Sequence, residues 1–397
     1  PLLSVAALGI SKSEGLFDLS RKVSRPYAYF FTCLLYLTIG PFFAIPRCAT
    51  TAFTVGIEQA VPQAAERLRL WLLVFSAVFF AAALLFSLFP GKILTWVGKI
   101  LNPFFLLFLG ILIIVALVKP SAAISAVAPE GAYASQAFST GFLEGYNTMD
   151  VLAGLAFGII VVQVIRELGV TDADAVASST VKAGVFSSLL MALIYLAVTV
   201  VGAQSRGLFA TSENGGIALA QIARHYLGSA GLVILAATVT LACLKTSVGL
   251  ITSCAETFCG MFPKGPGYRA WAVLFTLISF ALSNFGLSTI ISYSVPVLMF
   301  LYPLAIALVL LALFGRFYRH DRAVYISVIV CTLLAALYDL ICALPEGLYD
   351  ALHADAVQAF GLRVLPFAGA GLGWICPLAL GFVIGLAVHL MQKFRTK

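Results

Sequence analysis

The sequence predicts an all-α polytopic membrane protein, and three observations lead to that prediction. Hydrophobic residues make up 61% of the 397 residues, and only 10% are charged. A soluble domain, in contrast, is about a quarter charged. Apolar segments recur along the whole chain, and many reach the ~20 residues that a helix needs to cross a bilayer. The mean hydropathy of +1.04 agrees with a chain that lies largely in lipid.

Ten apolar segments are long enough to cross a membrane, and breaks rich in proline, glycine and charge separate them. The run 1–10 is too short to cross, so we interpret it as the end of a truncated transmembrane helix, followed by a cytoplasmic loop at 11–26. Residues 213–228 predict a short amphipathic piece that lies at the membrane surface or serves as a gate. The ten segments are 27–57, 68–89, 96–118, 144–165, 178–202, 229–258, 268–285, 287–314, 323–344 and 365–391.

The distribution of Lys and Arg predicts the orientation, because cytoplasmic loops of membrane proteins carry an excess of these residues. With the loop 11–26 inside, sixteen of the 24 basic residues fall on the inner side, six on the outer side, and Arg47 and Lys245 within segments. The C-terminus is then cytoplasmic. The inner residues are Lys12, Arg21, Lys22, Arg25, Lys92, Lys99, Arg166, Lys182, Lys264, Arg269, Arg316, Arg319, Arg322, Lys393, Arg395 and Lys397. The outer residues are Arg67, Arg69, Lys119, Arg206, Arg224 and Arg363.

The remaining composition argues against several other classes of protein. The eight cysteines lie almost all in apolar runs, where cysteine behaves as a small hydrophobe, and no CxxC pair is present. The four histidines lie in loops or at a segment end, without metal-ligand spacing. A net charge of +7 could indicate binding to nucleic acid, but the basic residues lie in the loops between the apolar segments. The topology of a membrane protein explains that distribution better. A membrane-embedded transferase would need paired acidic motifs or an intramembrane histidine, and a channel would need charge rings or filter repeats. The sequence favours neither.

The stretch GYNTMD at 145–150 is the most informative, because it opens the apolar run 151–165. A polar group without a partner is costly in hydrocarbon, so ionisable residues at membrane depth indicate functional sites. A glycine favours a break here, and an unwound helix start suits a carboxylate ligand. The alternative is an ordinary helix start with Asn147 or Thr148 as its N-cap. The candidate substrate-binding residues are Gly145, Tyr146, Asn147, Thr148 and Asp150.

Residues 40–47, GPFFAIPR, form a second constellation. Pro41 and Pro46 remove backbone donors within one segment and must bend it. Arg47 is a charge that requires a partner or water, and Asp150 and Glu58 are candidate partners. The alternative is a kinked helix whose Arg47 reaches outward to the membrane surface. We therefore predict Arg47 as a gating or structural charge.

Residues 242–247, ACLKTS, form a third constellation. Oxygen atoms here suit a hard cation such as Na⁺, and we predict Cys243, Thr246 and Ser247 as cation-binding residues. The alternative is that the adjacent hydroxyls bond back to carbonyls of their own helix. Lys245 would repel a cation if its side chain faced the same site. The alternative is that the side chain points to a cytoplasmic vestibule.

Other polar patches are expected to be structural. Glu256 and Asp339 lie near segment ends, where we expect each side chain to be hydrogen-bonded. The patch 292–296 predicts a kink, with lining of a pathway as the alternative. The glycine-rich run 369–373 is typical of close helix packing. We predict no site at these positions.

Three stretches together resemble the bacterial branched-chain amino acid:cation symporters. They are GPFFAIPRCATTAFTVGIE at 40–58, EGYNTMDVLAGLAFG at 144–158 and LACLKTSVGLITSCAE at 241–256. The resemblance covers essentially the whole chain and implies a LeuT-type fold of inverted five-helix repeats plus two accessory helices, twelve helices in all. It assigns 27–118 to the remaining helices of the first repeat, 144–314 to the second repeat and 323–391 to the accessory helices.

The resemblance also implies roles for residues. The broken sixth helix falls on 145–150, and the cation site of the eighth helix falls on Cys243, Thr246 and Ser247. The third helix, around Ala44, lines the substrate pocket. The first helix, which supplies half of both sites, is missing from the sequence. Lys245 stands where the family more often has an uncharged residue, which leaves coupling to Na⁺ or H⁺ open.

The function implied by the resemblance is secondary active uptake of Leu, Ile or Val, driven by a Na⁺ or H⁺ gradient. The expected protein is not an enzyme, lies in a bacterial inner membrane, and uses no cofactor beyond the coupling ion. Its expected partners are the substrate and the lipid bilayer, and we expect no nucleic acid partner. The sequence leaves the number of subunits undetermined. The alternative is a cation-coupled carrier of the same fold for another amino acid or a nucleobase. The residues alone indicate only a small, partly polar solute.

Overall fold

The computed structural model describes residues 2–11, 13, 15–59, 65–89, 92–170 and 172–395. Helices make up nearly all of this part of the chain, which contains no β-strand. The prediction of an all-α polytopic membrane protein is confirmed. Lys12 and Lys397, which contribute to the predicted inner charge, lie outside the described residues.

The chain folds into sixteen α-helices over these residues. They are α1 (Leu2–Ile10), α2 (Leu16–Arg21), α3 (Arg25–Leu37), α4 (Ala44–Val55), α5 (Ala65–Leu88), α6 (Lys92–Val118), α7 (Tyr133–Glu144), α8 (Asp150–Glu167), α9 (Ala173–Ser205), α10 (Gly215–Met261), α11 (Tyr268–Ser283), α12 (Leu287–Phe314), α13 (Arg322–Cys342), α14 (Glu346–Ala351), α15 (Asp355–Val364) and α16 (Ile375–Arg395). A π-helical turn, Thr38–Phe42, separates α3 from α4, and a 3₁₀ turn, Gly145–Thr148, separates α7 from α8.

Seven helices in the described part are long and apolar enough to cross a membrane. Two shorter apolar helices, Pro103–Val118 and Tyr268–Ser283, lie in two further predicted segments. The one remaining predicted segment, 144–165, contains α8, whose 18 residues begin only at Asp150. Length and composition thus support seven of the ten predicted spans, and helices occupy the other three. The seven are Arg25–Gln59, Arg67–Leu88, Ser178–Ser205, Gly215–Met261, Leu287–Tyr318, Arg322–Cys342 and Ile375–Phe394.

Two stretches differ in detail from the prediction. The amphipathic piece 213–228 is the start of α10, and it is set off from the rest by a bend at Gly228 (φ 64°, ψ −162°). This backbone conformation is open essentially to glycine alone. The last segment, 365–391, becomes helical only at Ile375, because Phe367 and Gly371 adopt left-handed backbone conformations (φ 65° and 68°) that interrupt a helix.

The chain divides into two compact units. The first unit comprises Pro1–Tyr36, Glu130–Leu190 and Ser292–Lys397. The second unit comprises Leu37–Pro129 and Met191–Ile291. The stretch 145–150 therefore belongs to the first unit, and the other two constellations belong to the second.

The second unit is built around α10, which packs against α4, α5, α6 and α11. A buried cluster joins α4, α6 and α10, and it includes Val55, Phe108, Leu112, Leu235 and Val239. The close approach of α10 to the π-helical turn depends on one glycine. A Cβ added to Gly40 would lie 2.6 Å from the Cys254 Sγ, too close for any ordinary contact. The predicted bend at 40–46 is thus a site of close packing as well as a kink.

The first unit contains two closely packed helix pairs, α1 with α8 and α13 with α16. Gly381 and Gly385 lie on one face of α16, because they are four residues apart. A Cβ at either position would meet the Val328 or Val324 Cα of α13 at 2.6 or 2.7 Å. Small residues at this spacing let two helix backbones approach closely. These two glycines lie eight and twelve residues beyond Gly373, the end of the run 369–373 for which close helix packing is predicted.

Asp321 joins the start of α13 to the end of α16. Its carboxylate accepts the backbone N–H of Ala323 at 2.8 Å, as an N-cap, and is hydrogen-bonded to His389 Nδ1. Burial by itself would raise the pKa of Asp321, but the hydrogen bonds from His389 and Ala323 outweigh it and hold that pKa below its ordinary value. Asp321 is therefore ionised at neutral pH.

Candidate substrate site

The stretch 145–150 is a break between two helices. α7 ends at Glu144, a 3₁₀ turn follows, and α8 begins at Asp150. Between them Met149 has a left-handed backbone conformation (φ 58°, ψ 15°), which costs a residue with a Cβ about 1–2 kcal/mol. The interruption that the sequence predicts is present, and it falls at Met149 rather than at Gly145.

The polar side chains of the break are used within it, and none caps α8 in the usual way. The Thr148 hydroxyl donates to the Gly145 carbonyl oxygen at 2.8 Å, and Asn147 Nδ2 donates to a Glu144 carboxylate oxygen at 3.0 Å. Thr148 Oγ1 accepts only a long bond, 3.4 Å, from the Asp150 N–H. The N-cap position belongs to Met149, which makes no side-chain cap. The start of α8 therefore offers backbone N–H groups and the positive end of the helix dipole to a ligand.

Two buried tyrosines cover the break. The rings of Tyr146 and Tyr302 stack with their centroids 4.0 Å apart and their planes 10° apart. The Tyr302 hydroxyl lies near the Thr148 hydroxyl, the Asp150 carboxylate and the backbone of Val151. Neither tyrosine hydroxyl has a hydrogen-bond partner of normal geometry among the described residues. A buried polar group in that state costs ~1–3 kcal/mol, so a polar ligand at the break would be stabilised there.

In the second unit, Ala44 and Arg47 lie on the first turn of α4. The helix starts at Ala44, directly after a non-helical residue, Phe43 (φ −129°, ψ −58°). Arg47 is half-buried, and its charge lies near the Cys48 thiol. The Thr50 hydroxyl donates back to the Pro46 and Arg47 carbonyl oxygens. The bent start of α4 thus presents a guanidinium within a largely apolar helix.

The predicted cation residues are brought together only in part. The Cys48 thiol of α4 lies beside the Cys243 thiol and the Ser247 hydroxyl of α10. Ser247 is fully buried, and its Oγ has no hydrogen-bond partner of normal geometry among the described residues. Thr246 instead is exposed and donates to the Ala242 carbonyl oxygen of its own helix at 2.9 Å. Lys245 is half-buried. The described part of the chain contains no group of three or more His, Cys, Asp or Glu that could hold a metal ion.

A cavity of about 780 Å³ lies elsewhere in the second unit, at the ends of α4, α5 and α12. None of the predicted substrate or cation residues lines it. Glu58, a predicted partner for Arg47, does line it, together with polar groups that the sequence does not single out. Among its polar lining residues are Thr50, Thr54, Glu58, Arg69, Glu213, Asn214 and Asn284.

Comparison with known sequences decides the family. The profile of a family described as branched-chain amino acid transport protein matches residues 1–392. The chain belongs to this family. It is 52% identical over 395 residues to the branched-chain amino acid permease BrnQ of Lactobacillus delbrueckii subsp. lactis, covering 100% of this chain and 87% of that protein. It is 37% identical over 398 residues to BrnQ of Bacillus subtilis, with coverage of 100% and 87%. Its identity to BraB of Bacillus subtilis is 36% over 392 residues, with coverage of 98% and 85%.

Membership in the branched-chain amino acid transport family confirms the resemblance seen in the sequence. Together with the long apolar helices, it identifies a multi-pass membrane protein of a transport family. The roles predicted for individual residues are a separate matter, and they remain predictions.

Three residues near the break of this family member are not predicted as site residues from the sequence. Tyr302 lies in an apolar helix, and Trp374 lies in a glycine-rich turn. Aromatic residues in such places commonly belong to a hydrophobic core, so the sequence alone does not mark them as site residues. Both are buried, and Trp374 lies beside the Tyr146 hydroxyl. Asp339, also near Tyr146, did carry a signal, since it is a carboxylate in an apolar segment. The expectation that it is hydrogen-bonded is wrong for the described residues, which give its carboxylate no such partner.

Proposed function

We propose that this member of the branched-chain amino acid transport family carries leucine, isoleucine and valine by secondary active uptake, with the substrate held at the 145–150 break. The proposal takes its substrate class from the family and from relatives that are named branched-chain amino acid permeases. The observation that supports this location is the uncapped start of α8 at Met149, next to two buried tyrosine hydroxyls.

A branched-chain amino acid is a zwitterion with an apolar side chain, and the break offers complementary groups for both charges. The N–H groups at the start of α8 and the Tyr302 hydroxyl suit the substrate carboxylate, because helix N-termini attract anions. The half-buried Asp150 carboxylate suits the substrate ammonium group. When the amino acid binds, its carboxylate and its ammonium group each exchange water for these fixed polar partners.

On this proposal the carrier couples uptake to Na⁺ or H⁺ and needs no other cofactor and no covalent chemistry. Its fold is the LeuT-type pair of inverted repeats, its membrane is the bacterial inner membrane, and its C-terminus is cytoplasmic. Cys243, Thr246 and Ser247 belong to a cation site. Within that set Ser247 is the best-supported ligand, because its buried hydroxyl has oxygen lone pairs that no described residue uses.

Uptake competition tests the substrate class. The purified full-length carrier in proteoliposomes should accumulate labelled leucine when both a Na⁺ and a proton gradient are imposed. Unlabelled isoleucine and valine in excess should abolish that accumulation, since isoleucine is an isomer of leucine and valine has the same branched, apolar character with one methylene fewer. Alanine and uracil, at the same concentration, serve as the matched controls and should compete weakly. Competition by uracil or alanine but not by valine or isoleucine would point to a carrier with another substrate.

A further inference from the structure

Asp339 is a buried carboxylate in an apolar helix. It lies in the last turn of α13, a helix long and apolar enough to cross a membrane, and is only 7% exposed. Placing a charge away from water is costly, and ionisable residues in such helices mark proton and ion pathways. The amino acid site proposed at 145–150 gives Asp339 no role, so its presence needs another explanation.

No cation neutralises Asp339 within the described part of the chain. Its carboxylate has no salt bridge or hydrogen bond there, and the groups that interact with it electrostatically are Tyr146, Tyr338 and Cys342. The helices packed on α13 are α15 and α16, and none of their titratable groups with a described side chain interacts with it. Those groups are Asp355, which accepts from Tyr349; Arg363, which is exposed; Cys376; His389, which is bonded to Asp321 at the other end of α13; and Lys393, beside His389.

Tyr146 connects Asp339 with the helix break. Its hydroxyl lies near both the Asp339 carboxylate and the Trp374 indole N–H. The Tyr146 hydroxyl and the Trp374 Nε1 are both buried without a hydrogen-bond partner of normal geometry among the described residues. The ring of Tyr146 is fixed between Tyr302, on which it stacks, and Phe142, at a centroid distance of 5.6 Å. A change of charge at Asp339 therefore acts first on a residue of the 3₁₀ turn before Met149.

We propose that Asp339 is a proton-binding site of this carrier, and that its protonation state is transmitted to the 145–150 break through Tyr146. As a carboxylate, Asp339 attracts the Tyr146 O–H, because a carboxylate only accepts hydrogen bonds. As the neutral acid it loses that attraction and donates one hydrogen bond itself. Loading forms a single O–H bond with a proton taken from water, and release breaks the same bond.

The surroundings favour a proton over a metal cation as the occupant. A cation such as Na⁺ needs several oxygen ligands around it. Besides its own carboxylate, the groups that interact with Asp339 are the Tyr146 and Tyr338 hydroxyls and the Cys342 thiol, which offer fewer oxygen atoms than such a cation takes. A proton needs one oxygen atom and no further ligand, which Asp339 provides by itself.

Proton-driven uptake into proteoliposomes tests the inference, which rests on the proposed function. In Na⁺-free buffer with an acidic exterior, the wild-type carrier should accumulate labelled leucine, and Asp339→Asn should not accumulate it above the level of equilibration. The same variant should still exchange internal for external leucine without a gradient, because the substrate groups at the break are intact. Asp350→Asn removes an exposed carboxylate in the same unit and should behave as wild type in both assays.

Two results would overturn the proton site and leave the proposed function standing. One is accumulation by Asp339→Asn equal to that of wild type; the other is a wild-type carrier that exchanges leucine but does not respond to a proton gradient. A wild-type carrier with no leucine exchange at all would instead overturn the proposed function.

A second variant keeps the test decisive if Asp339→Asn does not fold, which gel filtration of the purified protein would show. Tyr146→Phe retains the stacked ring and removes only the hydroxyl. Losing the electrostatic attraction of this hydroxyl for the carboxylate disfavours its charged form, so the pH of half-maximal proton-driven uptake should move upward by roughly half a unit. An unchanged pH profile in Tyr146→Phe contradicts the proposed link to the break.

Discussion

Asp150 and Asp172 are two carboxylates at the starts of helices, and their comparison isolates what is special about the break. Asp150 is the first residue of α8, is half-buried, and lies close to the Tyr302 hydroxyl. Asp172 lies just before α9, is exposed, and accepts the Ala175 N–H at 2.9 Å. Both interact favourably with a helix dipole, an effect of about 0.3–1 kcal/mol. Only Asp150 also faces the tyrosines of the proposed substrate site.

We therefore expect Asp150→Asn to lower kcat/KM for leucine uptake by roughly tenfold or more, because about 1.4 kcal/mol of substrate binding corresponds to a factor of ten. Thermal unfolding of the purified protein should change little, since the neutral amide fits the same space. Asp172→Asn is the matched control, because it removes a similar charge at the start of a helix and should leave leucine uptake unchanged. Wild-type uptake kinetics in Asp150→Asn would remove this carboxylate from the site.

At the same scale, the sequence identifies positions better than it identifies partners. GYNTMD is informative by itself, since polar groups at the start of an apolar run must be satisfied or used. Tyr302 lies more than 150 residues away in the sequence, and no local pattern marks an aromatic residue that will stack on Tyr146. The hydroxyls of Thr246 and Ser247 are adjacent, and the sequence gives no reason to prefer either one as a ligand. Helix rotation decides that Ser247 is buried and Thr246 is exposed.

Among the elements, the bend before α4 shows how a sequence pattern becomes a packing constraint. The prolines at 41 and 46 predict a bent helix, and the structure contains a π-helical turn over Thr38–Phe42. Gly40 has a non-helical backbone (φ −100°, ψ −120°) and touches the Cys254 side chain of α10. The contact partner could not be predicted, because nothing in the local sequence specifies which helix packs against the bend.

Gly40→Ala should lower the stability of the protein by about 1–3 kcal/mol, the usual cost of overpacking a filled site. The added Cβ would lie 2.6 Å from the Cys254 Sγ. Replacing Cys254 by Ala removes that atom, so the double variant Gly40→Ala/Cys254→Ala should recover most of the loss. Thermal unfolding in detergent measures all members of the cycle.

Gly249→Ala provides the control for this experiment, since it lies on α10, is exposed, and has no atom within 4 Å of the added Cβ. It should leave stability unchanged or raise it by about 0.5–1 kcal/mol, because alanine is the better helix former. Two equal losses at Gly40 and Gly249 would show that the contact with Cys254 is not the cause.

The whole molecule consists of two units, each assembled from segments that are distant in the sequence. The first unit combines the N-terminal residues, the break, most of α12 and the four helices α13 to α16, while α10 organises the second unit. Apolar periodicity and length predict that the helices exist, because each depends on a local stretch of about 20 residues. They do not predict this partition, which depends on contacts between helices far apart in the chain.

Orientation is the property of the whole molecule that the charge distribution predicts most directly. Sixteen of the 24 basic residues fall on the side assigned to the cytoplasm, and six fall on the other. Lys264, in the loop between α10 and α11, is predicted to be inside, and Arg363, in α15, is predicted to be outside. Both side chains are exposed in the structure, so a cysteine at either position is open to a reagent on its own side of the membrane.

We expect a membrane-impermeant maleimide to label Arg363→Cys in intact cells, and to label Lys264→Cys only after the membrane is permeabilised. The eight native cysteines are first replaced by alanine or serine, because some are only partly buried and would add background. The cysteine-free parent gives the background, and a permeant maleimide should label both variants, which shows that both cysteines are reactive. The reverse pattern, with Lys264→Cys labelled from outside, would invert the topology and place the acidic exterior of the uptake assays on the other face of the carrier.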